Sequence, residues 1–234
     1  MTICGVGVNQ SDTLFPPYIA SSDVQRSLEI SKRVAAWNEE ALYGIEVHTN
    51  DISHLGIACF SMVHEHHKSA LVLTEAGLIN SSMALMRPMF EAYVRGLWLV
   101  YATQEEFNQY QAGRDSLDLE RAIKLIVNRS GKSRFNDALE MWKVSKKTLH
   151  GYVHNSFQAM IRRSGLIEMP TEDVVSMLNF SSGLAIHASI EITEIMDSDA
   201  LPEQRAAIRL VVNSLQLNLV KMLAEMGLVD RMKS

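Results

Sequence analysis

From Ser22 onward, apolar residues return every three or four positions, the spacing that lays a stripe along one side of a helix. Val24, Leu28, Val34, Ala35 and Leu42 mark a first helix over about 23–48, capped by Ser21 or Ser22. Asn50 or Asp51 caps a second, which ends near Gly77, and a cap between Asn80 and Ser82 starts a third that reaches about Ala102. Thr103 caps a short acidic helix over 104–111, closed by Gly113, and Ser116 starts another that ends near Val127. After a polar loop at 128–133 come two helices, over 135–142 and 146–163. Thr171, behind Pro170 and ahead of Glu172 and Asp173, is an N-cap with acids in the first turn, and its helix runs to about Met196. Pro202 opens the last helix, which Gly227 stops.

No period-two alternation is long enough to predict a strand, and no repeat or linker divides the chain. Residues 1–21, with Gly5, Gly7 and Pro16–Pro17, are expected to form an irregular arm, and residues 22–234 a single all-α domain. Long helices joined by short turns favour antiparallel neighbours. The expected architecture is therefore an up-and-down helical bundle of about five long helices with a smaller helical insert. The last two helices carry wide apolar stripes, among them Leu178, Ile186 and Ile190, then Ile208, Leu215 and Leu219. That surface is sufficient to close a homodimer, the expected oligomer.

Composition narrows the function classes. The 234 residues are 47% apolar and 21% charged with a net charge of −5, so RNA is not indicated by charge, nor is an anionic membrane. A basic patch of Lys143, Lys146, Lys147, Arg162 and Arg163 is the exception. Cys4 and Cys59 cannot build a disulfide framework or a cysteine zinc site, which favours a reducing, cytoplasmic setting. The segment 83–101 is apolar but interrupted by Arg87, Glu91 and Arg95, so it is not expected to face lipid.

Those three charges are the first candidate site. Spaced four apart among Leu85, Met86, Phe90, Val94 and Trp98, they share a ridge and need partners, because an isolated buried charge costs several kcal/mol. Two readings stand: a ladder in which Glu91 is shared by Arg87 and Arg95, or a groove in which an arginine meets an anionic ligand. Pro88 adds a kink by removing one helical hydrogen bond. The second candidate is His150-Gly-Tyr-Val-His154, which puts two imidazoles on one helix face with Tyr152 between them and Gly151 leaving room for a close approach. Such a pair serves as a base and its partner, or as half of a metal site.

His64-Glu65-His66-His67-Lys68 fails as a zinc-protease motif, because the second ligand would fall on Lys68. No Glu-x-x-His occurs, so a di-iron bundle is not expected either. His64 with His67, and His187 with Glu191, share faces and leave a composite metal site as an alternative, but no metal and no cofactor is assigned. Cys59 lies in an apolar stretch and is expected to be an inert thiol, and no nucleophile motif is present.

Two strings carry a resemblance. Ser82-Met-Ala-Leu-Met-Arg-Pro-Met-Phe-Glu-Ala-Tyr-Val-Arg-Gly-Leu-Trp-Leu99 and Leu149-His-Gly-Tyr-Val-His-Asn-Ser156, followed by Leu178-Asn-Phe180, resemble an uncharacterised group of bacterial all-helical proteins, over about residues 50–195. That group is distantly similar to HEPN-type and AbiV-type bundles, which include RNA-cleaving toxins and phage-defence proteins. The likeness implies an arginine, four to six intervening residues and then a histidine, with the imidazole acting at a phosphodiester. Here Lys147 precedes His154 and Lys143 precedes His150 at that spacing, so Arg87 or Arg95 would supply the guanidinium from a neighbouring helix. Whether the protein is an enzyme stays open. The first expectation is a regulatory or interaction protein of the defence or toxin–antitoxin type. The alternatives are a metal-independent ribonuclease using His154, with His150, Arg87 and Arg95, and a small-molecule or metal-binding bundle.

Overall fold

A computed structural model describes residues 21–44, 50–113, 118–132, 134–153, 160, 169–200 and 202–225. It is all-α, with no strand among those residues: α1 (Ser22–Leu42), α2 (Asp51–Glu75), α3 (Ile79–Ala84), α4 (Met86–Tyr101), α5 (Gln104–Gln111), α6 (Leu119–Ser130), α7 (Arg134–Val153), α8 (Thr171–Asp199) and α9 (Pro202–Glu225). The expected arm lies outside the described residues, apart from its last member, Ser21.

Several ends follow their caps. Ser21 accepts from the Val24 N–H and Asn50 from the Ser53 N–H. Thr103 and Glu106 form a reciprocal capping box at the start of α5. Other boundaries differ from expectation. α1 stops at Leu42 rather than at 48, because Tyr43 is extended and Gly44 turns left-handed at φ 71°. The third predicted helix is two: α3 starts at Ile79 without a side-chain cap, and Asn80 to Ser82 lie inside it. The break at Leu85 makes Pro88 the third residue of α4, in the first turn, where no intrahelical N–H partner is needed. α6 is capped by Asp118, not Ser116, and runs to Ser130, so the predicted polar loop supplies its final turn before left-handed Gly131. The two helices expected around 135–163 are continuous from Arg134 to Val153. Thr171 is the first helical residue of α8 rather than its cap, and Pro170 holds the cap position.

α8 is the central element, packed against α1, α2, α4 and α9. α2 lies on α4 and α8, while α4 also carries α6 and α7. The main core gathers Phe60, Met89, Phe90, Leu97, Ile123, Ile126 and Leu178, all essentially sealed. Each such side chain contributes roughly 1.5–3 kcal/mol through burial. A second cluster joins α1, α8 and α9 through Ile30, Val34, Ile186, Ile190, Leu215 and Met222. The α2–α4 contact depends on a missing side chain, since a Cβ on Gly96 would stand 2.7 Å from the Phe60 ring. α5 and α6 form the insert, held to the end of α4 by Trp98 on Tyr110 and by Arg129 bonded to Glu106 and the Tyr101 carbonyl.

Candidate functional site

The structure brings Arg87 and His150 together. Arg87 Nε donates to Glu91 Oε1 at 2.7 Å, one turn along α4, and its Nη1 bonds Nδ1 of His150 on α7. A guanidinium only donates, so Nδ1 is the acceptor in this contact. Arg87 and Glu91 are about 27% and 30% exposed, and His150 is exposed, so the cluster is open to solvent. Tyr152 is half-buried against the main core. His154 lies outside the described residues, as do Arg162 and Arg163.

The three-charge ladder does not form. Glu91 pairs with Arg87 alone among the described residues, and Arg95 points elsewhere. Eight residues of α-helix turn through a net angle of about 80°, which carries Arg95 off the Arg87 ridge. Its Nε is buried without a hydrogen-bond partner, and its charge acts on Cys59 of α2. Burial raises the Cys59 thiol above its ordinary range and Arg95 only partly offsets this, so the thiol is poorly nucleophilic. On α7, Lys143, Lys146 and Lys147 are exposed, with Lys143 on Glu140 at 2.7 Å and Lys146 3.8 Å from Glu120.

A second polar constellation crosses the bundle where α1, α2 and α8 meet. His67 is sealed at 1% exposure, with Nε2 3.4 Å from the Ser182 hydroxyl, which donates to Ser31 at 2.8 Å. One turn earlier on α2, half-buried His64 has Nε2 3.2 Å from the Ser189 hydroxyl, which donates to Asn38 Oδ1 at 2.9 Å. Asn38 is 2% exposed, and its Nδ2 has no partner. Above this seam opens a cavity of about 480 Å3, walled by Ala35, Leu42, Asn38, His64, His67 and Ile192, with Glu39, Glu65 and Lys68 at the rim. Burial pulls His67 down to about 3, helped by His64 and Lys68. Burial, then Lys68, pulls His64 down to about 4 against the opposing Glu39. Both rings are therefore neutral at physiological pH.

Asn38 escaped the reading of the sequence, although a signal was present. Ser27, Ser31 and Asn38 occupy the same helical register as Val24, Leu28 and Val34, so α1 sends polar side chains inward from its apolar stripe. Among the described residues no three His, Cys, Asp or Glu side chains converge as a metal site. Glu191 is buried but lines a separate cavity with Lys132 and Glu194, so it does not join His64 and His67.

The fold and these sites define an all-α bundle with a histidine–hydroxyl seam through its centre and an arginine–histidine pair on its flank. The chain belongs to a family of unknown function, DUF6988, whose model matches residues 60–213. No curated protein and no solved structure matches the chain.

Proposed function

We propose that the protein is an interaction protein whose working form is a homodimer joined along α9. The observation that carries this is a second apolar seam on that helix. Ile208, Leu215 and Met222 face inward and are buried, yet Leu210, Leu217 and Val220 are 71%, 55% and 56% exposed. With Ala206, Asn213 and Ala224, also exposed, they follow the 4-3-4-3-4 spacing of a coiled-coil seam.

The seam is palindromic about the level of Leu215. In an antiparallel pair Ala206 faces Ala224, Leu210 faces Val220 and Asn213 faces Leu217, the self-complementarity that a two-fold interface requires. Arg209 and Lys221 then fall on opposite edges, so no like charges meet there, whereas a parallel in-register pair would oppose the two Glu203 side chains. α9 is also long and apolar enough to cross a membrane, with only 17% of its most apolar window buried. A polar Asn213 at mid-seam and a 3.5-residue repeat fit a helix partner better than lipid.

The double variant Leu210→Cys/Val220→Cys tests the arrangement. Mild oxidation is expected to give disulfide-linked dimers, with Leu210→Cys alone giving almost none. Cross-linking by the single variant would indicate a parallel pair, and none by either would remove the interface. The free Cys59 fits a reducing, cytoplasmic setting for such a protein. A regulatory role of the defence or toxin–antitoxin type is what the resemblance to HEPN-type bundles adds.

The Arg87–His150 pair favours a second reading, action on a phosphodiester. The missing arginine-to-histidine spacing is supplied across two helices, where Arg87 sets a guanidinium against the His150 imidazole, a phosphate-binding cation beside an acid–base side chain. Cleavage of single-stranded RNA in EDTA, lost in His150→Ala and in Arg87→Ala, is the expected result of that activity. Cleavage that survives both substitutions, or no cleavage by the wild type, excludes it.

A further inference from the structure

We infer that the cavity at the end of the bundle where α1 and α8 begin and α9 ends is a binding site for a zwitterionic α-amino acid with an aliphatic side chain. The inference is independent of the dimer. α1 and α8 run parallel, since Ser31 bonds the Leu178 carbonyl and, further along both helices, Ser189 bonds Asn38. Their N-termini therefore meet at one end, around a cavity of about 510 Å3, within the size range of small-molecule sites.

The residue that points to a ligand is Ser27. It is only 7% exposed, and its hydroxyl has no hydrogen-bond partner among the described residues. Unlike Asn38 Nδ2, that hydroxyl is not sealed: it opens on the cavity that Ser27 lines. A buried hydroxyl without a partner is destabilising, and a ligand that reaches it removes the cost.

Further donors gather beside it. Arg26 gives one bond, from Nη2 to the Glu225 carbonyl at 2.7 Å, and has no carboxylate partner among the described residues. The Glu225 carboxylate is held by Arg33 instead. The first-turn N–H groups of α1 and α8 have no helical acceptors, and α8 has no side-chain cap. Together these groups suit a carboxylate.

The rest of the lining asks for more than an anion. Asp23 and Glu172 are exposed at the rim. Asp23, Arg26, Ser27 and Ile30 share one face of α1, which runs from a carboxylate through a cation and a hydroxyl to a sealed apolar floor. On α8, Glu172 and Val175 repeat the order of carboxylate and apolar group. An α-amino acid matches it, with its ammonium toward Asp23 and Glu172, its carboxylate at Arg26 and Ser27, and its side chain on Ile30 and Val175. A simple anion would meet the two rim carboxylates with no compensating charge. A simple amine would meet Arg26 and two helix N-termini.

The test titrates leucine, isoleucine and valine into the full-length protein by calorimetry, with backbone NMR signals locating the site. Two analogues of leucine each lack one charge: 4-methylpentanoate has no ammonium, and 3-methylbutylamine has no carboxylate. At least one of the amino acids is expected to saturate and to move the Ser27 and Val175 signals, with both analogues weaker by about tenfold or more. Ser27→Ala and Arg26→Gln are each expected to weaken that amino acid by about tenfold. Ser27→Ala should unfold at a temperature no lower than the wild type, because the lost hydroxyl had no protein partner. Saturation by none of the three amino acids, equal binding of either analogue, or unchanged affinity in both variants would overturn the assignment.

Discussion

At Gly96 the helices α2 and α4 meet with no room for a methyl group. The obstacle is the sealed ring of Phe60, which cannot swing into solvent. Gly96→Ala is therefore expected to lower stability by about 1–3 kcal/mol, read as a lower urea midpoint, although alanine is the better helix former. His67 and His64 make a different kind of demand. Their folded values, about 3 and about 4, lie below the 6.5 of an unfolded chain, so unfolding takes up protons. The stability each ring contributes is complete above pH 6.5 and is lost as pH falls from there toward 4 and 3, on the order of 1 kcal/mol per pH unit per histidine. Urea midpoints at pH 7, 6 and 5 should fall together with acidity, and His67→Gln should show a shallower fall. Equal midpoints over that range would contradict the seam as described. Single residues were only partly legible in the sequence. Arg87, Glu91 and His150 stood out as charged or titratable groups in apolar helices, but the bond from Arg87 to His150 spans 63 positions and leaves no local trace. The His64–Ser189 contact spans 125, and a serine on a long apolar helix carries no local signal of such a partner.

Among the elements, the helices with chemical stops were the easiest to read. α5 sits between a Thr103–Glu106 capping box and a left-handed Gly113, and its predicted and observed bounds coincide. Thr103→Ala should cost about 0.5–2 kcal/mol in the thermal or urea midpoint, since it also loosens Glu106, which holds Arg129 and the insert. No change in midpoint would show that the insert is held by Trp98 and Tyr110 alone. The errors came where tertiary contacts decide. Lys143-Val144-Ser145 is weak helix sequence, yet α7 runs through it while packed on α3, α4 and α6. The break at Leu85 is set by Pro88 three residues later, because the ring has no N–H to continue the turn and must sit at a helix start.

For the whole molecule, the all-α bundle follows from helical periodicity sustained over most of the chain. The second face of α9 was harder to see. In the sequence Ile208, Leu215 and Leu219 merge with their neighbours into one broad stripe, and only burial separates that inward stripe from the outward seam of Leu210, Leu217 and Val220. Sealing Asn213 at that seam would cost stability while fixing register, so Asn213→Leu is expected to tighten self-association and to permit additional oligomeric states. The most direct test of the homodimer is the mass of the protein by sedimentation equilibrium over the micromolar range. Wild type should approach twice the 26.2 kDa chain, and Leu217→Asp should stay at 26.2 kDa with unchanged helical circular dichroism. A wild type that holds 26.2 kDa at the highest concentration, or a Leu217→Asp variant that still doubles, would contradict it.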